Sequence, residues 1–430
     1  MNNFTFEAGH KKVLLGGVVL GVLCLLLTFF TDDALHTRFW TNYLHNVSFF
    51  TGISFMAMFV LSAFLVAQAG WYTYFKRLWE AKAQFMIVGL VLMLPVVGGV
   101  WFGYHHLYHW ADAAEVAKDE LLVHKSSFIN PVWYTVASII VVGAWWLMAS
   151  RFRALSIKED KNPSINFGEH RKQITLAAVY LPVAGFTSAL VIWQWIMSLD
   201  AHWYSTLFAW YSAVSWFVSM LALSVLLLIF LRGQGYYQNM NSSHLHDLGK
   251  YVFAFSVFWT YLWFDQFMLI WYGNIGEETV YFQLRRDEYP LLFFGNLIIN
   301  FLVPFFVLMR NDTKRKLGSM AFVCVVIIFG HWIDFFLMIK PGAMHTAHEA
   351  LAHMGAAHGA GHDAAHGAGG MIAGVHFPGL LELGTFVGFL CLYLFVVLNA
   401  LSKVPLVAKN DPYLEESLHH HVEPPYSETF

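Results

Sequence analysis

The chain has 430 residues, 58% of them hydrophobic and only 12% charged, and a mean hydropathy of +0.53. A soluble domain is about 45–50% apolar and about 25% charged, so the solvent for most of this chain is lipid. A formal net charge of −3, with the basic residues confined to short segments, excludes a nucleic-acid surface. Three cysteines with no CxxC or CxxCH spacing exclude a disulfide framework, a thiolate metal centre and c-type haem attachment.

Runs of about 20 apolar residues are long enough to cross a hydrocarbon core about 30 Å thick. In chain order they fall near 13–30, 47–69, 85–103, 131–149, 174–199, 205–231, 250–273, 290–309, 318–339 and 379–402. The first run lacks a small-residue cleavage site and is followed by Thr31-Asp32-Asp33, so it reads as a retained helix and not a signal peptide. The fold class is therefore all-α: an integral membrane protein with ten transmembrane helices in residues 1–402. Nineteen of the 25 Lys and Arg residues lie in the N-terminus, in the loops after spans two, four, six and eight, and in the C-terminal tail. That bias places both termini in the cytoplasm. Residues 343–376 read as an external loop rich in Gly, Ala and His. Residues 403–430 read as a polar cytoplasmic tail with Pro412, Pro424 and Pro425. Neither segment has an apolar period that could pack a core.

An ionisable side chain at the bilayer centre costs about 2.5–3.5 kcal/mol, which makes each one a functional candidate. Span five ends at Asp200 and His202, span seven carries Asp265 and Gln266 ahead of Glu277 and Glu278, and span nine carries His331 and Asp334 before closing at Lys340-Pro341-Gly342. His331 and Asp334 are three apart and share a helix face. These residues gather in the outer half as a proton path or a quinone pocket, because a His beside a carboxylate can bond a quinone carbonyl and pass its proton on. The cytoplasmic half has almost no ionisable residue. It offers only a hydroxyl seam, Ser212, Ser215 and Ser219 on span six with Ser256 and Thr260 on span seven. Only His331 of the 22 histidines lies well inside a span; His105, His106 and His109 sit at the outer end of span three, and His244 and His246 fall in a cytoplasmic loop. No facing pair of haem ligands results, so no metal site is expected in this chain. His358, His362 and His366 are spaced by four, but their Ala-Gly surroundings favour a solvated loop.

Three stretches carry a resemblance: Asp200-Ala-His-Trp-Tyr-Ser-Thr-Leu-Phe-Ala-Trp-Tyr211, Tyr261-Leu-Trp-Phe-Asp-Gln-Phe-Met-Leu-Ile-Trp-Tyr-Gly-Asn-Ile-Gly-Glu-Glu-Thr279 and Gly330-His-Trp-Ile-Asp-Phe-Phe-Leu-Met-Ile-Lys-Pro341. The chain resembles the NrfD/polysulfide-reductase-type membrane subunits, and within that family the F-type subunits of bacterial alternative complex III. The resemblance implies two four-helix bundles, spans 2–5 and 6–9, with spans 1 and 10 peripheral. It implies a haem-free, non-catalytic or quinone-binding subunit of a quinol:cytochrome c oxidoreductase in the respiratory chain of a bacterial inner membrane. The implied partners are a related C-type membrane subunit, an iron–sulfur subunit and multihaem cytochrome c subunits. Haem c and iron–sulfur clusters then belong to those partners, and a quinone (menaquinol or similar) is the one cofactor open to this chain. Two other readings stand beside it. A proton- or metal-coupled transporter would use Pro95, Pro182 and Pro304 to break its helices, and a structural anchor would only dock the redox subunits.

Overall fold

The computed structural model describes residues 3–161, 166–357 and 377–422. Among them are ten helices long and apolar enough to span a membrane: α1 Ala8–Thr31, α2 Thr37–Val66, α3 Thr73–Phe102, α4 Pro131–Lys161, α5 Gly168–Leu199, α6 Leu207–Gly233, α7 Ser242–Gly273, α8 Pro290–Leu308, α9 Leu317–Ala347 and α10 Leu380–Leu401. All ten expected spans are present. Several begin earlier than hydropathy predicts: α2 by ten residues, α3 by twelve and α7 by eight. Those first turns carry Thr, Asn, His, Lys and Glu side chains that a hydropathy window discards but that neighbouring helices bury.

Mostly buried α2, α6 and α9 form the centre, whereas α1, α5 and α7 turn most of their surface outward. Helix α6 packs on α2, α7 and α9; α2 also meets α3, α5, α9 and α10; α4 lies on α3 and α5, and α8 on α7 and α9. Helix α1 rests chiefly on α10. Gly21 and Gly388 bring those two backbones into contact, since a Cβ on either would meet the other's Cα. Small residues perform this service where no hydrophobic effect drives helices together.

Both ends of the chain meet at one face, here called terminal. Asn3 bridges Pro405, the Thr5 amide donates to the Tyr236 hydroxyl at 3.1 Å, and the Tyr237 hydroxyl donates to Leu406 O at 3.1 Å. The tail is less solvated than its composition suggests: Leu406, Val407 and Leu414 are buried in the core, and Ser417 Oγ donates to Trp71 O at 2.6 Å.

At the opposite, distal face, α9 departs from expectation. Its helix does not stop at Lys340-Pro341-Gly342 but continues to Ala357, so the first part of the His-rich segment is helical. His358, His362 and His366 lie outside the described residues, as do Pro424 and Pro425. Proline survives inside a helix when something else satisfies the carbonyl that loses its i+4 donor. That carbonyl is Leu337 O, and Arg285 Nε donates to it at 2.8 Å.

Candidate functional site

The short helix Gly276–Glu288 folds over the distal face and sends Arg285 inward. Besides Leu337 O, Arg285 bonds Met338 O at 3.3 Å and Asp200 Oδ2 at 2.9 Å. Its guanidinium carbon stands 3.4 Å from the Tyr281 ring centroid. Burial works against this charge, but Asp200 and Tyr281 outweigh it and hold Arg285 above its ordinary pKa. Gly342 makes the arrangement possible, because a Cβ there would collide with the Asp200 carboxylate. A cavity of about 430 Å³ opens above the pair, lined by His109, Asp200, His202, Glu277, Tyr281 and His345 among others. His202 itself is exposed and sits 2.5 Å from Asp119 Oδ2. That hydrogen bond holds Asp119 below the usual carboxylate range.

Below this mouth lies Asp334, about 25 Å along α9 from the terminal face at 1.5 Å per residue. Asp334 and His331 are both fully buried. Asp334 accepts from the Tyr211 hydroxyl on Oδ1, from Asn296 Nδ2 at 2.8 Å and from Trp259 Nε1 at 2.9 Å. Asn296 in turn receives Asn300 Nδ2 at 2.6 Å, and Asn300 sits in a π-turn over 298–302 that breaks the regular ladder of α8. Such bulges recur where a helix must re-aim side chains. His331 Nδ1 lies 3.9 Å from Asp334 Oδ2 and 2.9 Å from Ser215 Oγ, while its Nε2 has no hydrogen-bond partner. The expected pairing of His331 with Asp334 on one face is therefore present. The sequence did not show the tyrosine, tryptophan and asparagine around it, because they come from α6, α7 and α8.

Other expected members stand apart. Asp265 lies half-buried on the outward flank of α7, among exposed Tyr261, Phe264, Met268 and Leu269, with no hydrogen bond or ion pair among the described residues. Gln266, one residue on, is buried with an unpartnered Nε2. Glu277 is exposed and Glu278 half-buried in the first turn of their helix, where the helix dipole favours a carboxylate. Ser212, Ser215, Ser219 and Ser256 are buried, but they do not form a hydroxyl chain. Ser212 turns to Met338 Sδ at 3.5 Å, Ser219 bonds Ser215 O at 2.8 Å, Thr260 bonds Ser256 O at 2.9 Å, and the Ser256 hydroxyl has no partner.

Two expectations are overturned. The terminal half is not poor in ionisable groups: Lys76, Arg77, Glu80, Lys82, Arg153 and Glu159 are all buried there. The sequence count assigned these side chains to loops because it started span three at residue 85 and ended span four at residue 149, where the helices run over 73–102 and 131–161. Lys82 Nζ donates to Met220 O and Ser224 Oγ, both at 2.7 Å. Arg77 pairs with Glu80 at 3.2 Å and Asp160 at 2.7 Å, and Ser156 Oγ donates to Glu80 Oε1 at 2.6 Å. Nor is His331 the only histidine buried in a long apolar helix. His45 is buried within α2, its Nε2 2.8 Å from Trp332 O, and His244 and His246 are buried in the first turns of α7 rather than in a loop. Near His45, Arg38 binds Glu382 through two nitrogens at 2.5 and 2.9 Å. The buried Lys340 ammonium lies 3.5 Å from Thr41 Oγ1.

No known family model matches this chain, and no curated protein matches it.

Proposed function

We propose that the chain is an NrfD-type membrane subunit of a quinol:cytochrome c oxidoreductase, similar to the F-type subunit of alternative complex III, in a bacterial cytoplasmic membrane. Its spans 2–5 and 6–9 form the two bundles, the basic terminal face is cytoplasmic, and the distal face meets the redox partners. Its task is to carry protons between the distal face and the membrane interior, with a quinone headgroup seated at the distal mouth. The observation that carries this reading is Asp334, a wholly buried carboxylate held by neutral donors beside a histidine with one nitrogen unused. An ionisable group so placed is costly and is a functional candidate by default.

The residues support a route. Asp200 at the mouth and Asp334 with His331 in the interior are groups that can exchange protons, whereas Arg285 stays charged and orients Asp200. From Ser215 the polar line continues to Ser219. Five residues of α6, about 7.5 Å, then separate Ser219 from Ser224 and Lys82. Ordered water can bridge such a step. The paired Glu80, Arg77 and Asp160 flank the path between Lys82 and the terminal face. Asp265, unpaired on an outward flank, fits a partner helix that supplies its donor, which agrees with a C-type membrane subunit beside this one.

The test is quinol-dependent cytochrome c reduction and proton movement by the complex purified from native membranes and reconstituted. Asp334→Asn and His331→Ala should each lower turnover roughly 100-fold, the scale of a lost proton-transfer group. Normal turnover with normal proton movement in both variants rejects the reading. A colourless chain that purifies without haem or iron–sulfur partners favours a carrier.

A further inference from the structure

At the terminal face, three chain segments converge on one buried point. Glu159 comes from the last turn of α4, His170 from the first turn of α5, and Asp411 from the tail. One ligand atom from each lies within 4.8 Å of the other two, and all three residues are at most 6% exposed. We propose that they form a divalent metal site, best suited to Zn²⁺, that staples the tail to the α4–α5 hairpin.

The unfilled valences carry the argument. Glu159 Oε2 is held by Gln173 Nε2 at 2.9 Å, and Asp411 is held by the Lys76 ammonium on Oδ2 and the Tyr413 amide at 3.0 Å on Oδ1. Glu159 Oε1 and both ring nitrogens of His170 have no hydrogen-bond partner among the described residues, although all are buried. Buried polar atoms left in this state are rare and ask for a ligand. Glu159 Oε1 and His170 Nδ1 are 3.4 Å apart without hydrogen-bond geometry. A tetrahedron with bonds of about 2.1 Å has edges of about 3.4 Å. Charge points the same way, because the one ammonium of Lys76, 3.8 Å from Glu159 Oε2, leaves two carboxylates undercompensated. An imidazole with two carboxylates suits a borderline divalent ion, with water in the fourth position. Gln173 and Lys76 then orient the carboxylates from outside the coordination sphere. Sequence spacing could not reveal this site, since its third member lies some 240 residues beyond the second.

The test is metal content of the purified full-length chain, in its complex and after dialysis, by mass spectrometry, with Zn²⁺ as the added probe. About one tightly held ion per chain is expected, lost in His170→Ala and in Glu159→Gln but kept when His358, His362 and His366 are all replaced by Ala. X-ray absorption of the wild-type protein should show only N and O neighbours at about 2.0–2.2 Å. If His170→Ala fails to fold, the wild-type chain decides: stripping with a chelator should expose residues 403–422 to protease, and Zn²⁺ should restore protection. Absence of saturable Zn²⁺ binding, or metal lost only with the His358/His362/His366 substitutions, overturns the proposal and leaves an ion cluster.

Discussion

The two halves of this protein bury different ionisable groups at their centres. In the distal half the central group is a carboxyl: Asp334 accepts from a phenol, an indole and an amide, and the one basic side chain within ion-pair range among the described residues is His331 at 3.9 Å. In the terminal half the deepest group is the Lys82 amine, held by a carbonyl and a hydroxyl with no carboxylate at ion-pair distance among the described residues. Closer to the terminal face, other charges pair directly, Lys76 with Asp411 and Arg77 with Glu80 and Asp160, while Arg153 binds the Ala400 carbonyl. Paired charges in low dielectric hold still, because breaking one leaves the other exposed to a large desolvation cost. Ionisable groups held by neutral dipoles can gain or lose a proton without abandoning a charged partner. On the proposed function, the comparison separates a clamp from two stepping stones.

The largest effect should come from Asp334. Asp334→Ala would strand the buried donors of Tyr211, Trp259 and Asn296, at about 1–3 kcal/mol each, and should lower the thermal midpoint in detergent by many degrees. Asp334→Asn keeps most of the shape, so it should cost activity far more than stability. If the two variants lose stability equally, Asp334 is a packing device and the contrast with the clamp fails.

Lys82→Met comes next. Replacing a buried amine that has no carboxylate partner among the described residues by an apolar chain of similar volume should leave the midpoint unchanged or raise it, while slowing proton uptake from the terminal side in reconstituted vesicles. A lowered midpoint with normal proton uptake would move Lys82 into the clamp. Asp265→Leu sharpens the comparison from outside. It removes a carboxyl that has no partner among the described residues and costs up to about 2.5–3.5 kcal/mol in lipid, so the isolated chain should become more stable while recovery of the proposed membrane partner falls. Unchanged recovery would leave that flank to lipid.

The smallest effect lies at the distal surface, where the His202 hydrogen bond depresses Asp119. A depressed carboxylate stabilises the folded state above the ordinary carboxylate range and loses that contribution as pH falls through its folded value. Protection over residues 113–125, measured as the exchange rate relative to the intrinsic rate at the same pH, should therefore be lower below about pH 4 than at neutrality. Asp119→Asn should show the lower protection at every pH.

Much of the fold was legible from the chain. Ten long apolar runs specify ten helices, since no other open structure satisfies its backbone in lipid. His331 and Asp334 could be paired from their spacing alone. Helix starts were not legible, because α2, α3 and α7 open on polar turns that only neighbouring helices make compatible with burial. His45, Lys76, Glu80 and Lys82 were missed for that reason. Lys340-Pro341-Gly342 was a sound stop signal by local rules, and Arg285 overrode it by donating to Leu337 O.

What the sequence determined by itself was the class of molecule, the number of its spans and the shared helix face of His331 and Asp334, all of which follow from hydropathy and the 3.6-residue period. Tertiary structure decided which charges are held by other charges and which by neutral dipoles. It set Asp265 on an outward flank while Asp334 sits at the centre, and it brought Glu159, His170 and Asp411 together. Those outcomes depend on contacts between helices remote in the chain, and the cost of a buried charge is settled by what faces it.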